Sequence, residues 1–275
     1  MPSLNLVGAV GGAGTTWTTL ECAGVLVHCG RDVCVLDAAY ATQGLADSLP
    51  GRLDTDITAL CTDDESGTPS LAAGLVDIDT DDDAGRLAVC PAHAPFERLA
   101  RAKTPEAAQR FESLVGTAAE SFDHVLVDVP PVAANQAVAA VTTTDRVALV
   151  APDTRRGHDG LARQRDRLVD VDTPAPETVL TFTDGETDAA GAVPEHDTTD
   201  PREVPVSLAE ESAFVASVAA TCESLLDESL DLEEHGLLDR IGRQRLHAVS
   251  LSRDPATVQQ PSSPEVACVA HRLTQ

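Results

Sequence analysis

From Val10 to Thr16 the chain reads Val-Gly-Gly-Ala-Gly-Thr-Thr, three glycines followed by two hydroxyl side chains. Glycines let backbone N–H groups converge on an anion, and a helix starting just after them adds roughly half a positive charge at its N-terminus. An apolar run from Leu4 to Val10 leads into the glycines, and Leu20, Ala23, Gly24 and Val27 follow at helical spacing. Strand, glycine loop and helix in that order form a turn that holds phosphate. Two carboxylates close later apolar runs, Asp37 after Val33–Leu36 and Asp128 after His124-Val-Leu-Val. Alone, each has blander uses. Asp37 can cap the turn that follows it. About twenty residues past a glycine turn, it can also bind a ribose hydroxyl in a dinucleotide fold. That last reading lacks its turn, because residues 8–17 contain no G-x-G-x-x-G.

The elements that must position these groups alternate along the chain. Leu87–Pro91, Arg146–Pro152 and Thr178–Thr183 read as further buried strands. Thr104-Pro105 starts a helix running to about Ser121, with Ala108, Phe111, Leu114 and Val115 on its inner face. A short helix is expected over Asn135–Val141, and an amphipathic one over Ala209–Leu226. This pattern predicts a doubly wound α/β fold with a mostly parallel sheet, its ligand at the carboxyl ends of the first, second and Asp128 strands. Residues 51–84 read as a polar, solvated surface segment. Its alternating aspartates are not a calcium loop, since Ala88 stands where a bidentate glutamate would be needed.

The glycine stretch resembles the deviant Walker A loop of the ParA/MinD family of P-loop ATPases, K-G-G-x-G-K-[ST]-[ST]. Laid on that pattern, every glycine is present and Thr16 matches the hydroxyl that ligates Mg²⁺. Both lysines are replaced, the signature lysine by Val10 and the Walker lysine by Thr15. The strand ending in Asp37 is similar to the family's D-x-D strand, with Ala39 at the second aspartate and Gln43-Gly44 following. Asp128-Val-Pro-Pro131 is similar to its Walker B and switch II, Leu87–Pro91 to its strand ending in proline, and Val193-Pro194 to its I-P segment. Thr183-Asp184 lies near the position where the family often carries an adenine-reading asparagine.

The resemblance implies a ParA/MinD-like P-loop domain over residues 1–226, its motifs falling between residues 4 and 226, and a C-terminal extension over 227–275. It implies nucleotide binding by Gly11, Gly12, Ala13, Gly14, Thr15, Thr16 and Trp17, and Mg²⁺ binding by Thr16, Asp37 and Asp128. Asp37 would be the catalytic residue that helps organise the attacking water. ATP and Mg²⁺ are the implied cofactors. The function implied is a nucleotide-dependent switch or positioning protein, at most a weak ATPase because both lysines are replaced. The alternative is a non-hydrolysing scaffold for a protein partner, and a dinucleotide-dependent oxidoreductase is the minor one.

Composition bounds the rest. The 275 residues carry 45 acidic and 19 basic side chains, a net charge of −26, and Lys103 is the only lysine. The acids are spread through a 43% hydrophobic sequence, so this is a folded chain rather than an acidic tail. Such a charge reads as adaptation to a salt-rich cytoplasm. Seven cysteines with no C-x-x-C argue against a disulfide framework or a zinc site. Neither H-E-x-x-H nor G-x-S-x-G occurs, so metalloprotease and serine hydrolase chemistry have no support. The N-terminus has no basic region ahead of an apolar one and no run approaches a membrane span, which predicts a soluble cytoplasmic protein. Arg155, Arg156, Arg163, Arg165 and Arg167 cluster on one expected helix among Asp153, Asp159 and Asp166. Intrahelical pairing is the expected arrangement there, rather than a DNA surface. In the extension, Leu237, Leu238, Ile241 and Leu246 form a modest stripe that suits a packed or partner-binding helix better than a membrane anchor, and a homodimer is an expected assembly of the chain. Because the Debye length falls to about 3 Å in molar salt, folding should require it. Circular dichroism and sedimentation should show a native monodisperse chain in about 3 M KCl and an expanded one at about 0.1 M. A native domain at low salt would refute this.

Overall fold

A computed structural model describes residues 2–49, 51–62, 70–80, 84–183, 187–198, 200–208 and 212–230. The elements are β1 (Ser3–Gly8), α1 (Thr15–His28), β2 (Val33–Asp37), α2 (Gly44–Asp47), α3 (Ile57–Thr62), β3 (Val76–Ile78), β4 (Leu87–Cys90), α4 (Phe96–Arg101), α5 (Pro105–Ser121), β5 (His124–Val129), α6 (Asn135–Thr143), β6 (Arg146–Pro152), α7 (Arg155–Val169), β7 (Glu177–Thr181), β8 (Gly191–Val193) and α8 (Ala213–Leu226). The eight strands form one sheet in the order β3-β4-β2-β5-β1-β6-β7-β8. Every pair is parallel except β3 with β4. The expected doubly wound, mostly parallel α/β fold is what the chain adopts.

The central strands are near-continuous apolar runs because both faces are covered. Side chains alternate across the sheet with period two. In β5, Val125, Val127 and Val129 enter one core, with Ile57 of α3, Phe111 of α5, Ala140 of α6 and Leu161 of α7. Leu126 enters the other, with Leu20 of α1, Leu45 of α2 and Val218 of α8. With 3% aromatic residues, the close fit of these layers rests on small aliphatic side chains.

The strand order also decides the minor alternative. In the dinucleotide fold the second strand lies beside the first. Here β5 lies between them, so Asp37 at the end of β2 neighbours Asp128 and not the glycine turn. The oxidoreductase reading is therefore dropped.

Residues 51–84 depart from expectation. Ile57, Leu60, Cys61 and Leu71 are buried in the first core, and Val76–Ile78 adds an antiparallel edge strand. Their apolar positions are too few and too short for periodicity to expose them among acids. The cysteines at 22, 29, 34, 61, 90 and 222 are buried, and none of them forms a disulfide. Cys268 and the stripe at Leu237–Leu246 lie outside the described residues.

One buried carboxylate ties α1 to the chain's later half. Glu21 accepts from the backbone N–H groups of Val206 (2.9 Å) and Ser207 (3.1 Å), while its own carbonyl accepts from the Ser207 hydroxyl. Gly24, one turn on, makes room for this: a Cβ there would lie 2.2 Å from the Ser207 hydroxyl oxygen and 2.9 Å from Pro205.

The ordered chain continues past Leu226. Leu230 is buried in the second core, and Glu228 meets Arg31 at 2.6 Å and His124 at 3.5 Å. Burial of a leucine side chain contributes about 2 kcal/mol. A chain ended after Leu226 should therefore melt about 4–8 °C lower than the full chain, and one ended after Leu230 should melt within about 2 °C of it. Equal melting of both truncations, read by calorimetry in high salt, would contradict this packing.

Candidate functional site

The glycine loop is held at both ends. At its start, the Ala9 N–H donates to the Val150 carbonyl of β6 at 2.8 Å, and Val10 lies buried under α7. Gly160 of α7 permits that contact, since a Cβ on it would lie 2.5 Å from the Val10 side chain and 2.9 Å from the Ala9 carbonyl oxygen. At the loop's far end, the Thr181 hydroxyl donates to the Ala13 carbonyl at 2.8 Å. Gly12 and Gly14 take φ values of +76° and +74°, the left-handed region that L side chains rarely enter. Gly14 is the residue from which α1 starts. The loop N–H groups and the α1 N-terminus thus converge on one cleft, as an anion site requires.

Asp37 and Asp128 are register partners at the ends of β2 and β5, and both are buried. The Thr16 hydroxyl donates to Asp128 Oδ2 at 2.6 Å. Asp37 accepts from the Ala39 N–H at 2.7 Å and the Ala92 N–H at 3.0 Å, one bond on each oxygen. Burial pushes both carboxyls above the ordinary carboxylate range, and the neighbouring Asp128 charge pushes Asp37 further. The backbone N–H bonds to Asp37 and the Thr16 bond to Asp128 oppose the rise. The pair demands a counter-charge or a proton.

A cleft of about 190 Å³ opens on this arrangement, lined by residues 10–17, by Ala39, Thr42 and Gly44, and by residues 128–131. Every residue of the expected nucleotide set, Gly11 to Trp17, lines it, as does Asp128. Asp37, expected to organise an attacking water, does not. It lies beside Asp128 at the end of β2 and accepts from the backbone at Ala39 and Ala92. Among the described residues no lysine, arginine or histidine lines the cleft, and Asp128 is the one charged side chain that does. The Thr15 hydroxyl turns back toward β1, 2.8 Å from where a Cβ on Gly8 would stand. Thr16 and Asp128 present hard oxygen donors to the cleft, a set that suits Mg²⁺, which takes one or two protein oxygens with water and phosphate completing its shell.

Beside the loop, Trp17 packs edge-on against Phe214 at 6.2 Å between ring centroids and near His196 at 6.0 Å. A second cleft of about 320 Å³ adjoins it, sharing Thr16, Trp17 and Gly44 with the first and reaching Thr198, Pro201 and Val204.

Sequence reasoning missed how α7 serves the site. Its arginines form no ion pair among the described residues. Instead Arg165 donates to the Thr178 hydroxyl at 2.7 Å and Arg167 to the Val132 carbonyl at 2.9 Å, while the Gln164 side chain accepts from the Val132 N–H at 3.0 Å. The loop after Asp128 is thereby held by its neighbour helix. Thr181 and Phe182 were also missed as loop contacts, and nothing in their spacing marks them. β7 ends at Thr181, short of the expected Thr183, because Phe182 turns to φ +58°.

Comparison with solved structures gives the fold a relative. MinD from Pyrococcus horikoshii, complexed with Mg-ADP, matches over 81% of this chain and 94% of its own at 16% identity, with a TM-score of 0.65. The MinC:MinD cell division complex of Aquifex aeolicus matches over 84% and 98% at 19% identity, also at 0.65. A ParA family ATPase from Chlorobium tepidum matches over 82% and 98% at 16% identity and 0.63. No protein-family model and no curated protein matches the sequence. The fold is that of the ParA/MinD P-loop proteins.

A carboxyl raised in the folded state gives stability that is full below the ordinary carboxylate range, near pH 4, and lost as pH rises through the folded value. Metal-free protein should therefore melt lower as pH rises toward neutrality. Asp128→Asn keeps an acceptor for Thr16 while removing the repulsion, so at pH 7 without metal it should melt about 2–6 °C above the parent. Adding Mg²⁺ should raise the parent and leave the variant unmoved. A parent indifferent to Mg²⁺, or a variant that melts lower, would contradict the coupling.

Proposed function

We propose that this chain is a nucleotide-binding switch or positioning protein of the ParA/MinD kind, binding ATP with Mg²⁺ and hydrolysing it weakly or not at all. One observation carries the reading: the Thr16 hydroxyl and Asp128 carboxylate meet at 2.6 Å beside a glycine loop that no cationic side chain joins among the described residues. Backbone N–H groups and the α1 dipole bind phosphate without lysine. Thr16 and Asp128, with Asp37 beside them, would hold Mg²⁺, which when bound would supply positive charge to phosphate oxygens and to the buried acids. Asp37 stands in register with Asp128, and both of its oxygens accept from backbone N–H groups.

The same observation favours the second reading, a scaffold that keeps the nucleotide fold and binds a protein partner. Phosphoryl transfer is catalysed by positioning and by positive charge at the transferring oxygens. Thr15 offers one neutral hydroxyl, and Val10, under α7, offers no polar group. MinD of Aquifex aeolicus is found in complex with MinC, which supports a protein partner here. A homodimer is the proposed assembly and the cytoplasm the proposed site of work. No helix among the described residues is long and apolar enough to cross a membrane.

Trp17 is the chain's one tryptophan and lines the cleft, so its fluorescence reports occupancy directly. Mg-ATP should change it in high salt, and Asp128→Ala should weaken the response. Phosphate release by the parent should stay near background, since one lost charged donor costs about 10²–10³ in rate. Thr15→Lys should raise release by at least about tenfold. Brisk turnover by the parent would refute the weak-ATPase reading, and a fluorescence signal blind to Mg-ATP would refute binding.

A further inference from the structure

His124 is a buried titratable side chain that the cleft does not use. It opens β5, at the end of the sheet opposite the paired acids. Its ring is 3% exposed, and among the described residues its Nδ1 has no hydrogen-bond partner. Its Nε2 lies 3.5 Å from the carboxylate of Glu228, in the short segment that follows α8. That carboxylate is already engaged, since Arg31, in the turn before β2, meets it at 2.6 Å.

The segment is fastened at a few named points. Asp227 turns the chain at φ +54°, and its carboxylate lies 3.9 Å from Arg146, which donates to the Leu225 carbonyl at 3.1 Å. The Glu228 N–H donates to the Glu223 carbonyl at 3.3 Å, and the Leu230 N–H to the Glu223 carboxylate at 2.8 Å. Leu230 then enters the second core. Arg31, Arg146 and Glu228 are partly exposed, so salt screens their pairs, whereas the imidazole is covered.

A neutral ring suits this place better than a charged one. Protonation puts an N–H on both ring nitrogens, and Nδ1 has no acceptor for one among the described residues. It also sets a positive charge near Arg31 in a site shut off from water. Burial holds His124 below the ordinary histidine range; Arg31 and the amino-terminal charge add to this, and Glu228 and Asp123 oppose it. For a group depressed in this way, the docked arrangement is favoured in full above about pH 6.5 and loses favour as pH falls below it. Undocking the segment opens the ring to water and relieves the cost.

We propose that Asp227–Leu230 is a pH-sensitive latch, docked on Arg31 and His124 while the ring is neutral and released when the ring takes a proton. The latch lies away from the cleft and does not depend on the nucleotide reading. It sets whether residues 231–275 set out from a docked or a free segment.

The test is amide hydrogen exchange on the full chain in high salt, read by mass spectrometry at about pH 7.5 and about pH 5.5. After correction for the intrinsic pH dependence of exchange, protection of the peptide carrying residues 227–230 should fall about tenfold, as binding of one proton below about pH 6.5 requires. Protection of β5 should not fall with it. His124→Gln and His124→Phe, one polar and one apolar, remove the proton site, and either should keep the segment's protection level between the two pH values. Parent protection that does not change with pH would overturn the latch. So would a fall that persists in a folded variant, or one that β5 shares in full.

Discussion

Two carboxylates buried side by side, Asp37 and Asp128, set the terms for this end of the sheet. Taking one ionised carboxylate out of water is costly, and a second beside it adds repulsion. The structure offsets part of that cost with dipoles: two backbone N–H groups on Asp37 and the Thr16 hydroxyl on Asp128. What remains must come from a proton or a cation. Among the described residues no cationic side chain lines the cleft, and a cation bound there would meet the need. The insertion of β5 between β1 and β2 is what places the two acids side by side, so strand order and electrostatics are one design problem.

The loop above the acids is positioned from both faces of the sheet. On one face, Glu21 holds Val206 and Ser207 against α1, with Gly24 allowing the approach. On the other, α7 closes on Val10 through Gly160 and fixes Val132 through Gln164 and Arg167. Each clamp pairs a glycine, which lets elements touch, with a polar side chain that spends itself on backbone groups. Those polar groups then satisfy loops that would otherwise leave buried N–H and C=O groups unpaired.

The sequence made some of this legible. A glycine loop between an apolar run and a helix, and aspartates at the ends of Val33–Leu36 and His124–Val127, are local patterns, and they mark the cleft's loop and both acids. Thr104-Pro105 likewise announces α5 through an N-cap bond that is present, Ala107 N–H to the Thr104 hydroxyl at 3.3 Å. Long-range placement was hidden. That both oxygens of Asp37 are taken up by backbone N–H groups depends on where residues 38–39 and 91–92 run. That Phe182 meets Gly14, and that Arg167 serves Val132 instead of an aspartate on its own helix, are contacts between distant segments with no periodic trace. The buried Ile57–Thr62 helix escaped because one turn and a half of apolar residues among acids gives no usable period.

The contact between Val10 and Gly160 couples two elements far apart in the chain. A Cβ at position 160 would lie 2.5 Å from the Val10 side chain and 2.9 Å from the Ala9 carbonyl oxygen, so any side chain there must lift α7 off the loop. Because α7 also holds Val132 through Gln164 and Arg167, the same displacement reaches the loop after Asp128. One glycine thus sets the spacing of two walls of the cleft at once.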